Sequence, residues 1–576
     1  MSKLNIDQKV VEALFNDKHA DYLIPDYQRP YAWEEDECST LWEDLFSFAF
    51  PGDDSDSFNR DTDEFFLGPI VTFKNENRKI EIIDGQQRMT TLLLMLRAFY
   101  ERFGYQKDPN SKKMQERIAA CLWKTDEFGN PDMTRLKIDS QVASDNDKDQ
   151  FLKILKSGEA PIGSKSTYAK NFRYFRDKIE EMVQKYPSYI SIFAARILGN
   201  VVLLPIEAAS QDTALRIFST LNDRGLPLSD ADIFKSQFYK HFSEQDQKDQ
   251  FIERWKKLES IAKDVMKGQR FSPMDELFTR YMYFERARRG IRDTTTPSLR
   301  SFYGQNKYEL LKKDETLSNL ESLAAFWKQV EEQDETVFTP QVLRHLFVLN
   351  YAPNGMWKYI LSVYFLSCRD GEGRLDNAQL EVFLRLIADF VLAYAIERPG
   401  VNALRSPVYP EMINIVKGEP VAFKDYRFVR EEIRNHFASF VFTNGRPVTR
   451  AMLAWWQFQH PEQNLMELET KLEVEHIYPS RRAKASPLVR PENIDALGNK
   501  ALLEKTINIR ASDYRFADKC NYYQHGGKAG QGTHNHELTV LANSGRDDFT
   551  EKDIESRTNQ IIDAFMDELA AIGLMK

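Results

Sequence analysis

The chain has 576 residues, 42% hydrophobic and 29% charged, with a formal charge of −9. That is the composition of a globular protein too long for one core, so about three or four domains are expected and a disordered chain is not. The four cysteines (Cys38, Cys121, Cys368 and Cys520) lie far apart with no CxxC pair, so neither a disulfide framework nor a zinc knuckle is expected.

The first stretch, "MSKLNIDQKVVEALF", reads as the start of an amphipathic helix and not as a signal peptide. "IPDYQRPYAWEEDE" (24–37) then sets Tyr27, Gln28, Arg29, Tyr31 and Trp33 on one extended run held by prolines. Aromatics interleaved with Gln and Arg can stack on and hydrogen-bond to bases. A proline-rich packing segment has the same composition, and the residues alone do not separate the two. Residues 34–64 hold twelve acidic side chains against Arg60, a local net of −11, which leaves the rest of the chain near +2.

Two β-rich runs follow, "FFLGPIVTF" (65–73) and "RKIEIID" (78–84), separated by a polar turn. Gly85 stands at the strand exit, and a long apolar helix is expected from about Thr90. "DGQQR" therefore lies between a strand end and a helix N-terminus, where unpaired N–H groups and the helix dipole favour phosphate. Arg88 would add a bidentate contact, and Asp84 would hold a metal or a sugar hydroxyl. An Asp–Arg pair bracing a tight turn fits the same letters. No GxxxxGK[ST] phosphate loop occurs.

Residues 111–200 are expected to be mostly helical, and "NVVLLPIEA" (200–208) supplies another strand. Residues 211–242 read as helix, glycine loop, helix, with Ser229 or Asp230 as the cap and Asn222, Asp223, Arg224 and Lys235 around the loop. From 243 to 445 the pattern is helical almost throughout, with aromatics at core spacing. Its longest apolar run, "VFLRLIADFVLAYAI", contains Arg385 and Asp389 and falls short of the roughly 18 residues a membrane helix needs. A cytosolic protein is expected.

Residues 446–576 change character: a helix, a short strand, Gly- and Asn-rich turns and a closing helix. Residues 481–530 hold ten Lys/Arg against five Asp/Glu, a surface where a phosphate backbone could be held. Just before them stands "KLEVEHIYPSRR" (471–482). Its Glu475-His476 pair is either a strand end with two solvated side chains or half of a metal-dependent hydrolytic site. Asn499 lies 23 residues beyond His476, and Asn508 nine beyond Asn499. His525, His534 and His536 have no cysteine pair beside them and read as a polar loop.

"IPDYQRPYAW", "FFLGPIV", "IIDGQQRMTTL" and "FSTLNDRGLPLSDADIFK", in that order over about residues 10–240, resemble the N-terminal domain of the GmrSD family. These are modification-dependent (Type IV) restriction systems. The resemblance implies a ParB/sulfiredoxin-like fold that binds a nucleoside triphosphate (GTP, UTP or ATP) through Asp84, Gly85, Gln86, Gln87, Arg88 and Thr90. It makes Tyr27, Gln28 and Arg29 a contact to nucleotide or modified DNA.

The pattern "EHI-P…GN…LL…N" is similar to the C-terminal domain of the same family and to an HNH (ββα-metal) nuclease; its N-x8-N element also matches the HNH domain of the CRISPR effector nuclease. That resemblance implies Glu475 and Asn508 as ligands of one Mg2+ (or Mn2+) and His476 as general base. Asn499 would orient His476, and Lys519 would contact phosphate. Glu475 stands where many HNH sites carry Asp.

The expectation is a multidomain, helix-rich α+β protein: a sensor and triphosphate domain over 1–242, a helical domain over 243–445 and an HNH nuclease over 446–576. Its implied function is NTP-regulated cleavage of double-stranded DNA bearing glucosylated or hydroxymethylated cytosine, in anti-phage defence and with NTPase activity. A phosphorothioate-sensing nickase and an NTP-dependent DNA-binding regulator without cleavage stay open as alternatives. No membrane partner is expected, and a homodimer is left open.

Overall fold

Short β-rich runs of the N-terminal half collect into one mixed sheet. The computed structural model describes residues 5–51, 57–142, 145, 147–211, 213–215, 217, 229–266, 272–400 and 403–576. The chain divides into two compact units, Met1–Lys256 and Lys257–Lys576.

In the first unit the strands are β1 (Asn5–Ile6), β2 (Lys9–Val10), β3 (Tyr22–Ile24), β4 (Phe65–Lys74), β5 (Ile80–Asp84), β6 (Trp123–Thr125), β7 (Pro131–Leu136), β8 (Ile138–Ser140) and β9 (Val201–Ala208). The sheet order is β1-β9-β4-β5-β3-β8, with β2 also on β9 and β6–β7 a separate hairpin. β4 runs parallel to β9 and antiparallel to β5, and β3 is parallel to β5 and β8.

One expectation is corrected, and a second holds with an addition. The N-terminal helix is only Val11–Phe15, because residues 5–10 pair with β9. The segment 111–200, expected to be mostly helical, also contains β6, β7 and β8, which are too short to show a period.

Helix Gln86–Gly104 begins four residues earlier than expected. Gly85, at φ 92°, turns the chain directly out of β5. Met89 to Phe99 of this helix are buried almost without a break, so it forms the centre of the unit's core rather than a surface helix. Ser229 is the cap of helix Asp230–Ser243, its hydroxyl accepting from the Asp232 N–H. Asn222, Asp223 and Arg224 lie outside the described residues.

In the second unit the described elements up to residue 445 are helical, apart from one bridge between Phe428 and Met575. Helix Asn377–Glu397 is a core helix, and Asp389 is buried in it. After helix Pro447–Gln457 come β10 (Leu472–His476) and β11 (Lys500–Glu504), antiparallel, then helices Lys505–Ala511 and Phe516–His525. The closing helix Glu551–Ala571 packs Phe565 against Phe437 and Trp455, at 5.2 and 4.7 Å between ring centres. Its Arg557 donates to the carbonyls of Leu497, Gly498 and Lys500 at 2.7–3.1 Å and so ties down the approach to β11. Gly498 has to be glycine there, since a Cβ would meet the Ile554 carbonyl oxygen at 2.0 Å.

Candidate functional site

In the N-terminal unit, β5 delivers Asp84, Gly85 makes the turn, and Gln86, Gln87 and Arg88 form the first turn of the central helix. The three glutamines expected to touch nucleotide or DNA face the protein instead. Gln86 Nε2 donates to the Arg29 carbonyl at 3.1 Å. Gln87 Nε2 donates to the Pro30 carbonyl at 3.1 Å, and its Oε1 accepts from the N–H groups of Ala32 and Trp33 at 2.8 and 3.3 Å. Gln28 Nε2 donates to the Ile83 carbonyl at 3.2 Å. These bonds clamp the YQRPYAW segment onto the DGQQR turn.

Tyr27 and Thr90 are buried as well, Tyr27 with its hydroxyl donating to Glu81 at 3.3 Å. What remains partly open is Arg29, Asp84 and Arg88. Arg88 Nη1 donates to the Leu67 carbonyl at 3.0 Å, and its Nη2 lies 3.6 Å from Asp84 Oδ2. Burial raises the Asp84 carboxyl, opposed by the Arg88 and Arg29 cations. Sequence reasoning missed Gly68: at φ 119° a Cβ there would lie 2.0 Å from Arg88 Nη1. Its signal was the lone glycine inside the strand run FFLGPIV.

In the C-terminal unit, the strand pair sets His476 opposite Lys500 and Glu475 opposite Ala501. Pleating sends these neighbouring side chains to opposite faces. His476 Nε2 is 3.0 Å from Lys500 Nζ and 3.8 Å from Asp495 Oδ1. Burial and the cations of Lys500 and Lys519 push its imidazole down to about 4, against the pull of Asp495. The ring is therefore neutral at pH 7. Lys500 is itself fully buried and also donates to Asp495 at 2.8 Å and to Asn444.

Asn499, fully buried, fixes the chain just after the histidine. Its carbonyl accepts from the Ile477 N–H at 2.9 Å, and its side-chain Oδ1 accepts from the Tyr478 N–H at 2.7 Å. Asn508 sits on the helix that follows β11 and donates to Glu473 Oε2 at 2.8 Å. Glu475 Oε1 accepts from Lys519 Nζ and from the Tyr523 hydroxyl, both at 2.7 Å.

The expected ligands Glu475 and Asn508 are thus each hydrogen-bonded to other side chains. Lys519, expected on phosphate, is 1% exposed and committed to Glu475 and to the His476 carbonyl. Among the described residues no group of three or more His, Cys, Asp and Glu could hold a metal ion. Lys500, Asp495, Glu473 and Tyr523 were missed; only Lys500 carried a local signal, as the residue directly after Asn499.

Two family descriptions match this chain. Residues 11–239 match the N-terminal domain of the GmrSD restriction endonuclease, and residues 428–564 match the C-terminal domain of GmrSD restriction endonucleases. No curated protein matches the chain. The first span contains the Asp84–Arg88 turn with its glutamine clamp, and the second contains the His476 hairpin with its supporting helices. The chain belongs to the GmrSD family of restriction endonucleases.

Proposed function

We propose that the chain is a single-chain, modification-dependent DNA endonuclease in which a nucleoside triphosphate at the Asp84–Arg88 turn controls hydrolysis at His476. One observation carries the nuclease half: β10 pairs antiparallel with β11, β11 runs straight into helix Lys505–Ala511, and a neutral, part-exposed His476 stands at the end of β10. Strand, strand, helix is the order of an HNH nuclease, and the N-terminal sheet is read as ParB-like.

His476 takes a proton from water while the water oxygen attacks phosphorus and the 3′ oxygen leaves. An approaching phosphate is an anion, so it raises the basicity of a ring that burial and two lysines hold low. Mg2+ or Mn2+ would supply stabilisation of the phosphoryl charge when bound. Glu475 Oε1 is already taken by Lys519 and Tyr523, and the Asn508 amide nitrogen is bonded to Glu473, an arrangement that does not favour a shared site. No step is assigned to that pair.

For the regulatory half, Arg29, Asp84 and Arg88 beside the free N–H groups of the first helical turn are the groups left to hold GTP, UTP or ATP. The proposed substrate is double-stranded DNA with glucosylated or hydroxymethylated cytosine, cut in the cytoplasm in defence against phage. The test incubates the purified protein with plain, glucosylated and phosphorothioated DNA, with each NTP and Mg2+. Cutting of glucosylated DNA alone, dependent on NTP, is expected; equal cutting of plain DNA contradicts the reading.

A further inference from the structure

Glu475 is 4% exposed, and a buried carboxylate needs compensation. Helix Phe516–His525 supplies it twice, through the Lys519 ammonium and the Tyr523 hydroxyl, each 2.7 Å from Oε1. Both donors are themselves almost wholly buried, at 1% and 0% exposure. The same ammonium donates to the main-chain carbonyl of His476 at 2.6 Å. A divalent ion on Oε1 would have to displace a buried ammonium, and one on the same carboxylate's other oxygen would lie close to that cation. Removing one partner of such a pair leaves an uncompensated charge, so the three groups hold each other in place.

We infer that Glu475, Lys519 and Tyr523 form a strut that positions His476, and that Glu475 is not a metal ligand. Lys519 holds the histidine's own carbonyl, while Asn499 holds the two residues after it from the other side. The strand end is thereby fixed before and after the ring, which sets the direction in which the imidazole leaves the chain. Placement of a base to within about 1 Å decides much of its contribution. The inference rests on reading His476 as the base.

The experiment uses the full-length protein and Glu475→Gln, Lys519→Met, Tyr523→Phe and Glu475→Gln/Lys519→Met. Nicking is measured against DNA concentration, and Mn2+ binding is followed by electron paramagnetic resonance. Each single change is expected to lower kcat by about tenfold or more with KM within about twofold. The double variant should be no slower than its slower parent, because both changes break one strut. Mn2+ binding should be the same in Glu475→Gln as in the parent protein, including none in either. A tenfold loss of Mn2+ affinity in folded Glu475→Gln overturns the inference, and so does an unchanged kcat in Tyr523→Phe, the variant that keeps the ring packing if the others do not fold. Failure of the functional reading is a separate result: cutting by His476→Ala at the parental rate.

Discussion

The imidazole of His476 lies low because it is buried and faces Lys500 and Lys519, so it reaches neutral pH without a proton to lose first. His476→Ala is expected to lower the nicking rate by about 10²–10⁴-fold with the fold retained, since it removes the proposed base from a site that otherwise keeps its bonds. A rate near the parental one at saturating DNA would remove His476 from the chemistry. At the N-terminal turn, adjacent side chains have different jobs. Gln87 satisfies three backbone groups of residues 30–33, so Gln87→Ala should cost about 2–4 kcal/mol in urea unfolding. Arg88 makes one carbonyl bond and one loose ion pair, so Arg88→Ala should keep the fold and lose triphosphate binding in calorimetry. Parental affinity for GTP, UTP and ATP in Arg88→Ala would contradict this division.

Helix Pro340–Asn350 carries a second low histidine. Burial first, then the Arg385 cation, pushes His345 down to about 4, while Glu568 pulls the other way and Arg344 adds to the push. The unfolded ring binds a proton near 6.5 that the folded ring refuses until about 4. Stability from this group is thus present above 6.5 and is lost as pH falls through 6.5 toward 4. Between pH 7 and 5 the parent should lose about 2 kcal/mol more than His345→Gln, measured by chemical denaturation at both values. Equal losses would contradict it. At this scale the sequence was readable where a motif coincided with a strong local pattern. DGQQR falls at a strand-to-helix turn, and Glu475-His476 ends β10, with Asn508 on the helix that follows β11. What was not readable came from partners far along the chain. Glutamine suits a base edge as well as a carbonyl, and only the fold shows that Gln28, Gln86 and Gln87 meet backbone. Lys519 meets Glu475 across 44 residues, and no spacing rule reaches that far.

In the C-terminal unit the hairpin does not stand alone. The closing helix, which ties down residues 497–500 through Arg557, is joined to helix Asn377–Glu397 by Arg385 on Glu568 and to helix Arg430–Ser439 by Phe437 on Phe565. Cutting the chain at 446 strips that helix of its partners, so segment 446–576 is expected not to fold as a regulated nuclease. Packed helices, unlike a flexible tether, pass on a two-state change. An HNH nuclease left unrestrained would also attack the host chromosome. In the proposed function, triphosphate at the Arg88 turn governs cutting at His476. The most direct test is the nicking rate of glucosylated DNA against NTP concentration, for the full-length protein and for full-length Arg88→Ala. A nucleotide-dependent rate is expected in the parent and a flat response in the variant. The same nucleotide response in both proteins would contradict it.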